Sequence, residues 1–105
     1  MQITSKEYGK EVEKSDIPVV IDFYADWCMP CRMMAPIFDK LSTQYKGRVK
    51  FVKVDVDSDP SLAGKFEVMG IPTLVLIDKG KERGRIVGFA TENVLKEKIN
   101  EVIIH

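Results

Sequence analysis

The stretch Val19-Val20-Ile21-Asp22-Phe23-Tyr24-Ala25-Asp26-Trp27-Cys28-Met29-Pro30-Cys31 decides how this chain is read. Its first six residues are apolar but for Asp22, the near-continuous pattern of a strand covered on both faces, as in the parallel sheets of α/β folds. It ends on the only two cysteines of a 105-residue chain, three positions apart. Beyond them Met34, Ile37, Phe38, Leu41 and Tyr45 recur at helical spacing, so the pair falls where a strand gives way to a helix. Helical positions i and i+3 share a face with Cβ atoms about 5–6 Å apart, and a disulfide needs about 3.5–4.5 Å. A small adjustment of the first turn joins the sulfurs, and relaxing it separates them. That is the geometry of a reversible redox couple.

Three other uses of two cysteines compete with this one. A structural cross-link closing four residues removes only about 2 kcal/mol of unfolded-chain entropy, so one built for stability belongs elsewhere. A structural zinc site wants four Cys or His ligands. The chain has two Cys and one His, the last residue His105, so only a dimer sharing two cysteine pairs would complete such a site. Two unrelated core cysteines are the third alternative.

Sixteen Lys and Arg balance sixteen Asp and Glu, which gives no basic excess to attract nucleic acid or an anionic membrane. The apolar runs are far shorter than a membrane span, and residues 1–14 lack the hydrophobic region of a signal peptide. A cytoplasmic location is therefore the expectation. There ordinary thiols stay reduced, and a Cys-x-x-Cys pair does chemistry more readily than it holds structure. The length suits one domain, residues 1–105, with a core of its own.

Thr4-Ser5-Lys6-Glu7 fits a capping box and predicts a helix from about Ser5 to Glu13. Val49 to Val56 forms the next strand after the cysteine-bearing helix, which Gly47 is placed to stop. Asp59-Pro60 reads as an N-cap followed by proline at the first helical position, opening a short helix toward Phe66. Thr73 to Ile77 is a third strand, Asp78-Lys79-Gly80-Lys81 a turn, and Arg85-Ile86-Val87 the returning hairpin arm, with Gly84 assigned to a loop. Val94, Leu95, Ile99, Val102 and Ile103 mark one face of a closing helix that starts near Thr91, and Met33 and Met34 read as helix packing. Strand–helix alternation followed by a hairpin and a helix predicts an α/β fold: a central mixed sheet flanked by helices on both faces.

With these elements in place, the chain resembles the thioredoxin family over essentially its whole length. Asp22 to Arg32 resembles the family's active-site strand and helix start, and Pro36 its helix-kinking proline. Lys53-Val54-Asp55, Gly70-Ile71-Pro72-Thr73-Leu74 and Gly88 resemble its third-strand segment, its cis-proline segment and a glycine beside the active site. Two departures stand out: Met29 where the family usually has glycine, and Arg32 where it usually has lysine. The resemblance implies a protein-disulfide reductant that acts on disulfide-containing proteins. It implies regeneration by a thioredoxin reductase, itself using flavin with NADPH or another electron source. A monomer is expected, with no cofactor of its own and no membrane or nucleic-acid partner.

In thiol–disulfide exchange a thiolate attacks a disulfide sulfur. Cys28, at the helix start, faces free amides and the positive end of the helix dipole, which favour its thiolate. Cys31 would then attack the mixed disulfide and release the reduced substrate. Thioredoxins are known for a nucleophile pKa near 7, a property the resemblance brings. Lowering a thiol from about 8.5 to about 7 multiplies the thiolate at pH 7 about fifteenfold. Lost nucleophilicity returns about fivefold, so the net gain is about threefold and positioning must supply more.

Asp22 interrupts an apolar strand, and an unpaired buried carboxyl has a raised pKa, which suits a proton acceptor for Cys31; the resemblance implies the same role. The alternative is a carboxylate hydrogen-bonded to backbone or paired with Lys53, and Lys53 could also tune Asp22. The resemblance makes Ile71–Pro72 a cis bond facing the cysteines, where the Ile71 backbone could pair with an extended substrate. Trp27, Met29, Pro30, Ile71, Pro72 and Gly88 then form the substrate surface, with Phe89 either on its rim or in the core. Rival readings are an oxidase or isomerase, a non-catalytic binding subunit, a metal or iron–sulfur scaffold, and a glutaredoxin-like use of glutathione.

Overall fold

A computed structural model describes residues 1–103 of the chain; His105 lies outside the described residues. The elements run α1 (Ser5–Tyr8) with a π-helical continuation (Gly9–Glu13), β1 (Val19–Tyr24), α2 (Met29–Gln44), β2 (Lys50–Asp55), α3 (Pro60–Lys65), β3 (Thr73–Asp78), β4 (Lys81–Val87) and α4 (Glu92–Ile103). The sheet order is β2-β1-β3-β4. β1 pairs parallel to β2 and antiparallel to β3, and β4 closes antiparallel on β3, so the sheet is mixed as expected.

Strand β1 is apolar but for Asp22 because both of its edges are paired and both of its faces are covered. Val19, Ile21 and Phe23 point to one side, where Val52, Val54, Val75 and Ile77 join Ile3 from the segment before α1 and Tyr8, Val12 and Leu62 from α1, its continuation and α3. Val20 points to the other side, where Phe51, Leu74 and Leu76 meet Met34, Phe38 and Leu41 of α2 and Leu95, Ile99 and Val102 of α4. Alternation along β1 places Asp22 on this second side, the one covered by α2.

The local signals explain most boundaries. Thr4 N donates to Glu7 Oε1 at 2.8 Å and Lys6 N to Thr4 Oγ1 at 3.2 Å, completing the capping box. The helix then widens where the sequence predicts plain α-helix: Lys14 N reaches back five residues to Gly9 O at 3.0 Å. Gly9, a weak helix former, opens that π segment, and Tyr8 and Val12 still reach the core. Helix α2 passes through Pro36 and ends at Gln44, and Gly47 takes a left-handed φ of +87° just beyond it. The β3–β4 turn places Lys79 and Gly80 at φ +53° and +78°, the paired left-handed conformation of a type I′ hairpin.

Three expectations are corrected. Gly84 is not in a loop: it lies within β4 opposite Leu76, beside a bulge that shifts the register before Ile77 pairs with Glu82. Val94 is exposed, one position off the inward stripe of Leu95, Ile99 and Val102. Met33 is exposed while its neighbour Met34 is fully buried, so only Met34 packs the helix against the sheet.

Asp59 fastens the α1 side of the sheet. Its Oδ2 accepts from Ser5 N and Ser5 Oγ, each at 2.6 Å, and its Oδ1 accepts from Ser61 Oγ at 2.6 Å and from Leu62 N at 3.2 Å as the α3 N-cap. Hydrogen bonds from the Ser5 and Ser61 side chains hold its carboxyl well below the usual carboxylate range. A depressed pKa contributes stability that is present above the unfolded value, about 3.9, and is lost as the pH falls below it. Asp59→Ala should therefore cost about 2 kcal/mol in urea unfolding at pH 7. The gap to wild type should narrow as the pH is lowered from about 4 toward 2; a gap that does not change with pH would show that the carboxylate charge is not what binds these helices.

Candidate active site

The cysteines stand where β1 ends and α2 begins. Cys28 is the α2 N-cap in extended conformation, and its Sγ accepts the Cys31 amide at 3.2 Å. Pro30 occupies the first turn, where its missing amide removes a donor that would have no helical partner. The two sulfurs are joined as a disulfide with Cα atoms 5.2 Å apart. Both residues are nearly enclosed, at 5% and 4% exposed, and pack with Ala25, Tyr24, Val56 and Ile71.

The two sulfurs differ in what they face. Cys28 Sγ lies 3.7 Å from the carbonyl oxygen of Ile71, and the Ile71–Pro72 bond is cis as the resemblance implies. Thr73 Oγ1 donates to Gly70 O at 2.5 Å and Gly88 N to Pro72 O at 2.7 Å, holding this segment from both ends. Gly88 sits at φ +90° with open space where a Cβ would be, so its backbone angle and not crowding calls for glycine. Cys31 instead lines a 100 Å³ cavity with Tyr24, Arg32 and Lys53.

Trp27, Met29, Pro30 and Phe89 are exposed, Ile71 and Gly88 are half-buried, and Pro72 is buried. Pro72 is thus the one residue of the expected contact surface that is buried, and Phe89 lies at the surface rather than in the core. Trp27 is not a packed tryptophan: its Nε1 donates to Asp57 Oδ2 at 2.8 Å, while Asp55 Oδ1 accepts from Asp57 N at 2.9 Å. A 230 Å³ groove runs between Trp27, Val56, Ala63, Val68, Met69, Gly70 and Ile71.

Sequence reasoning missed Met69 and Asp57. Met69 had a signal, an apolar residue directly before Gly70-Ile71-Pro72 in a connecting segment. Asp57 had none, because its meeting with Trp27 exists only in the folded chain. A larger pocket of 420 Å³, lined by Arg83, Gly84, Lys98, Glu101 and Val102, contains neither cysteine. Among the described residues no group of three His, Cys, Asp or Glu side chains is placed to hold a metal ion, and no helix is long and apolar enough to cross a membrane.

Asp22 is 1% exposed, and its Oδ1 has no hydrogen-bond partner among the described residues. Lys53 stands opposite it in the β1–β2 register, but its ammonium lies over the Tyr24 ring, 4.9 Å from the centroid. The lysine therefore acts on Asp22 through space and not by an ion pair in contact. Burial pushes the Asp22 carboxyl up to about 6, with Lys53 pulling it down and Asp39 adding a smaller push upward. A raised pKa means that charging Asp22 opposes folding: the penalty is absent below about 3.8, grows between there and about 6, and is complete above. Asp22→Asn should therefore stabilise the oxidised protein more at pH 8 than at pH 4, by about 2 kcal/mol. Urea unfolding at the two pH values measures this, and an equal effect at both would mean that Asp22 is not a buried carboxylate held without a partner.

A thioredoxin family model matches residues 1–101. The chain is 38% identical over 101 residues to a thioredoxin of Rickettsia felis, covering 96% of each chain. It is 40% identical over 101 residues to a thioredoxin of Rickettsia bellii, again covering 96% of each. It is 38% identical over 100 residues to thioredoxin 1 of a Nostoc species, covering 95% of this chain and 94% of that one. With a mixed sheet between helices and a cysteine pair at a helix N-terminus, this chain belongs to the thioredoxin family and is a disulfide oxidoreductase built for dithiol–disulfide exchange.

Proposed function

We propose that the protein is a cytoplasmic, single-domain, monomeric protein-disulfide reductant. It donates electrons to disulfide-containing target proteins and is recharged by a thioredoxin reductase. The observation that carries this reading is the asymmetry of the pair, with Cys28 Sγ against the Ile71 carbonyl and Cys31 lining a separate small pocket with Tyr24, Arg32 and Lys53.

Cys28 is the attacking thiolate. In the reduced protein its Sγ keeps the Cys31 amide donor, and a donor at a helix N-terminus favours the negative sulfur. The target disulfide docks along Trp27, Met29, Pro30, Ile71 and Gly88, with buried Pro72 fixing the Ile71 backbone from beneath. Cys28 forms a new S–S bond as the target's own bond breaks, and the first target thiolate leaves. Cys31 then gives its proton to Asp22 and attacks Cys28 Sγ. The protein disulfide re-forms and the second target thiolate departs. Asp22 suits this step because burial raises its proton affinity into the neutral range, and the Lys53 charge keeps it from rising further. Between Cys28 and Cys31, Met29-Pro30 supplies no charge to stabilise the reduced form, which favours a reductant over an oxidase.

Three variants test the assignment. Cys28→Ser should abolish insulin reduction driven by dithiothreitol. Cys31→Ser should accumulate a mixed disulfide through Cys28, seen as a mass adduct that thiol releases. Asp22→Asn should slow resolution near pH 7 more than the first attack. Insulin reduced at the wild-type rate by Cys28→Ser would end this reading, and unchanged resolution by Asp22→Asn would remove Asp22 from it. The dithiol potential separates the rival oxidase: thioredoxins are known near about −270 mV, oxidases and isomerases near about −120 to −180 mV.

A further inference from the structure

Three exposed thioethers lie on α2 and on the segment before Gly70-Ile71-Pro72, the two elements that meet at the cysteine pair. Met29, 60% exposed, directly follows Cys28, and Met33, 52% exposed, stands one helical turn beyond it on the same face of α2. Met69, 96% exposed, lines the groove that Trp27 and Ile71 share. The other two methionines supply internal comparisons. Met34 is fully buried against the sheet, and Met1 is exposed but sits beside Phe51 on β2, where its ammonium donates to Phe51 O at 3.3 Å.

Methionine offers a docking surface unbranched, polarizable apolar contact that adapts to differently shaped partners. The same sulfur is open to two-electron oxidants, and its sulfoxide is polar and hydrates well. Leucine would supply comparable apolar area without that liability, so three methionines grouped here tie target docking to peroxide. We infer that Met29, Met33 and Met69 form an oxidation-sensitive docking rim: hydrogen peroxide converts them to sulfoxides and weakens docking of protein disulfides, while exchange with small disulfides continues. In each event the peroxide O–O bond breaks, a sulfur–oxygen bond forms, the methionine sulfur loses two electrons, and the peroxide is reduced to water. The sulfoxide is reversible by sulfoxide reductases. The Cys28–Cys31 disulfide has no thiolate to oxidise, so peroxide applied to the oxidised protein reaches the rim and spares the redox pair. This inference rests on the rim being the surface where protein targets dock.

The experiment treats the disulfide form of the full chain with hydrogen peroxide, removes the excess, and locates added oxygen by peptide mapping. Met29, Met33, Met69 and Met1 should gain oxygen well before Met34. After reduction, KM for insulin should rise about tenfold, equal to about 1.4 kcal/mol of lost docking. The rate with a small aromatic disulfide should stay as before. The combined variant Met29→Leu, Met33→Leu, Met69→Leu, compared with its own untreated form, should lose the peroxide effect while retaining an oxidisable Met1. An unchanged insulin KM once the three are oxidised, an equal loss on the small disulfide, or an equal loss in the combined variant would each overturn the inference. Insulin reduction before treatment reports on the functional reading, and the ratio of treated to untreated reports on the rim alone.

Discussion

Strand β1 has no free edge and no free face, and that enclosure sets the terms for everything at its end. A strand held by β2 on one side and β3 on the other cannot shift its register without turning Val19, Ile21 and Phe23 out of one core and Val20 out of the other. The point where the chain leaves the sheet is therefore fixed, and so is the start of α2 five residues later. Met34, Phe38 and Leu41 lock the helix down at i, i+4 and i+7, with the Phe38 and Phe51 rings 5.0 Å apart edge to face. The cysteines inherit their rigidity from this packing, although neither helps build it.

The same enclosure explains the one polar group that β1 buries. An aspartate in the centre of a closed strand opposes folding whenever it is charged, and nothing in the sheet requires a carboxyl there. Leu74 and Lys53 occupy the cross-strand positions beside it, and neither neutralises it by contact. Burial pushes this carboxyl up to about 6, so it changes charge in the range where thiols must be deprotonated, as the proposed proton-acceptor role requires. Lys53 limits the cost without abolishing it, since its ammonium rests over Tyr24 and lowers the Asp22 pKa only through space.

Much of this could be read from the residues because the governing signals are local. β1 spans Val19 to Tyr24 as its apolar run implies, and Asp59-Pro60 caps α3 because both the carboxylate and the missing proline amide act within one turn. Where a single residue shifts the pattern, the reading fails. Gly9 widens the first helix by one residue without disturbing the spacing of Tyr8 and Val12, so periodicity does not register it. The β4 bulge puts Gly84 inside a strand that its composition, Lys81 to Arg85, presents as a charged turn. The exposure of Met33 and Val94 depends on one step, about 100°, around a helix, finer than an apolar count resolves. At the site, the cysteines and Asp22 announced themselves by type and position. The Trp27–Asp57 bond and the groove beside Met69 did not, because segments far apart in sequence meet there only after folding.

The placement of Cys28 and Cys31 one helical turn apart gives the two sulfurs different surroundings from a single rigid element. The N-cap sulfur looks outward past Ile71, toward a surface that can be rebuilt without disturbing the core, and Met29 and Met69 show that this rim accepts bulky side chains. The second sulfur belongs to a residue that lines a small pocket with Tyr24, Arg32 and Lys53, and Lys53 is the β2 partner of buried Asp22. In the proposed mechanism, target recognition and proton handling are thus assigned to sulfurs one helical turn apart. A change on the rim alters which disulfide is presented, whereas a change beneath it alters how readily the second sulfur answers. Because lowering a thiol pKa brings only about a threefold gain near neutral pH, this division assigns most of the rate to geometry. Met29, exposed where the family usually has glycine, therefore changes the outer face of the pair, while the place of Asp22 is set by the pairing of β1 with β2 and β3.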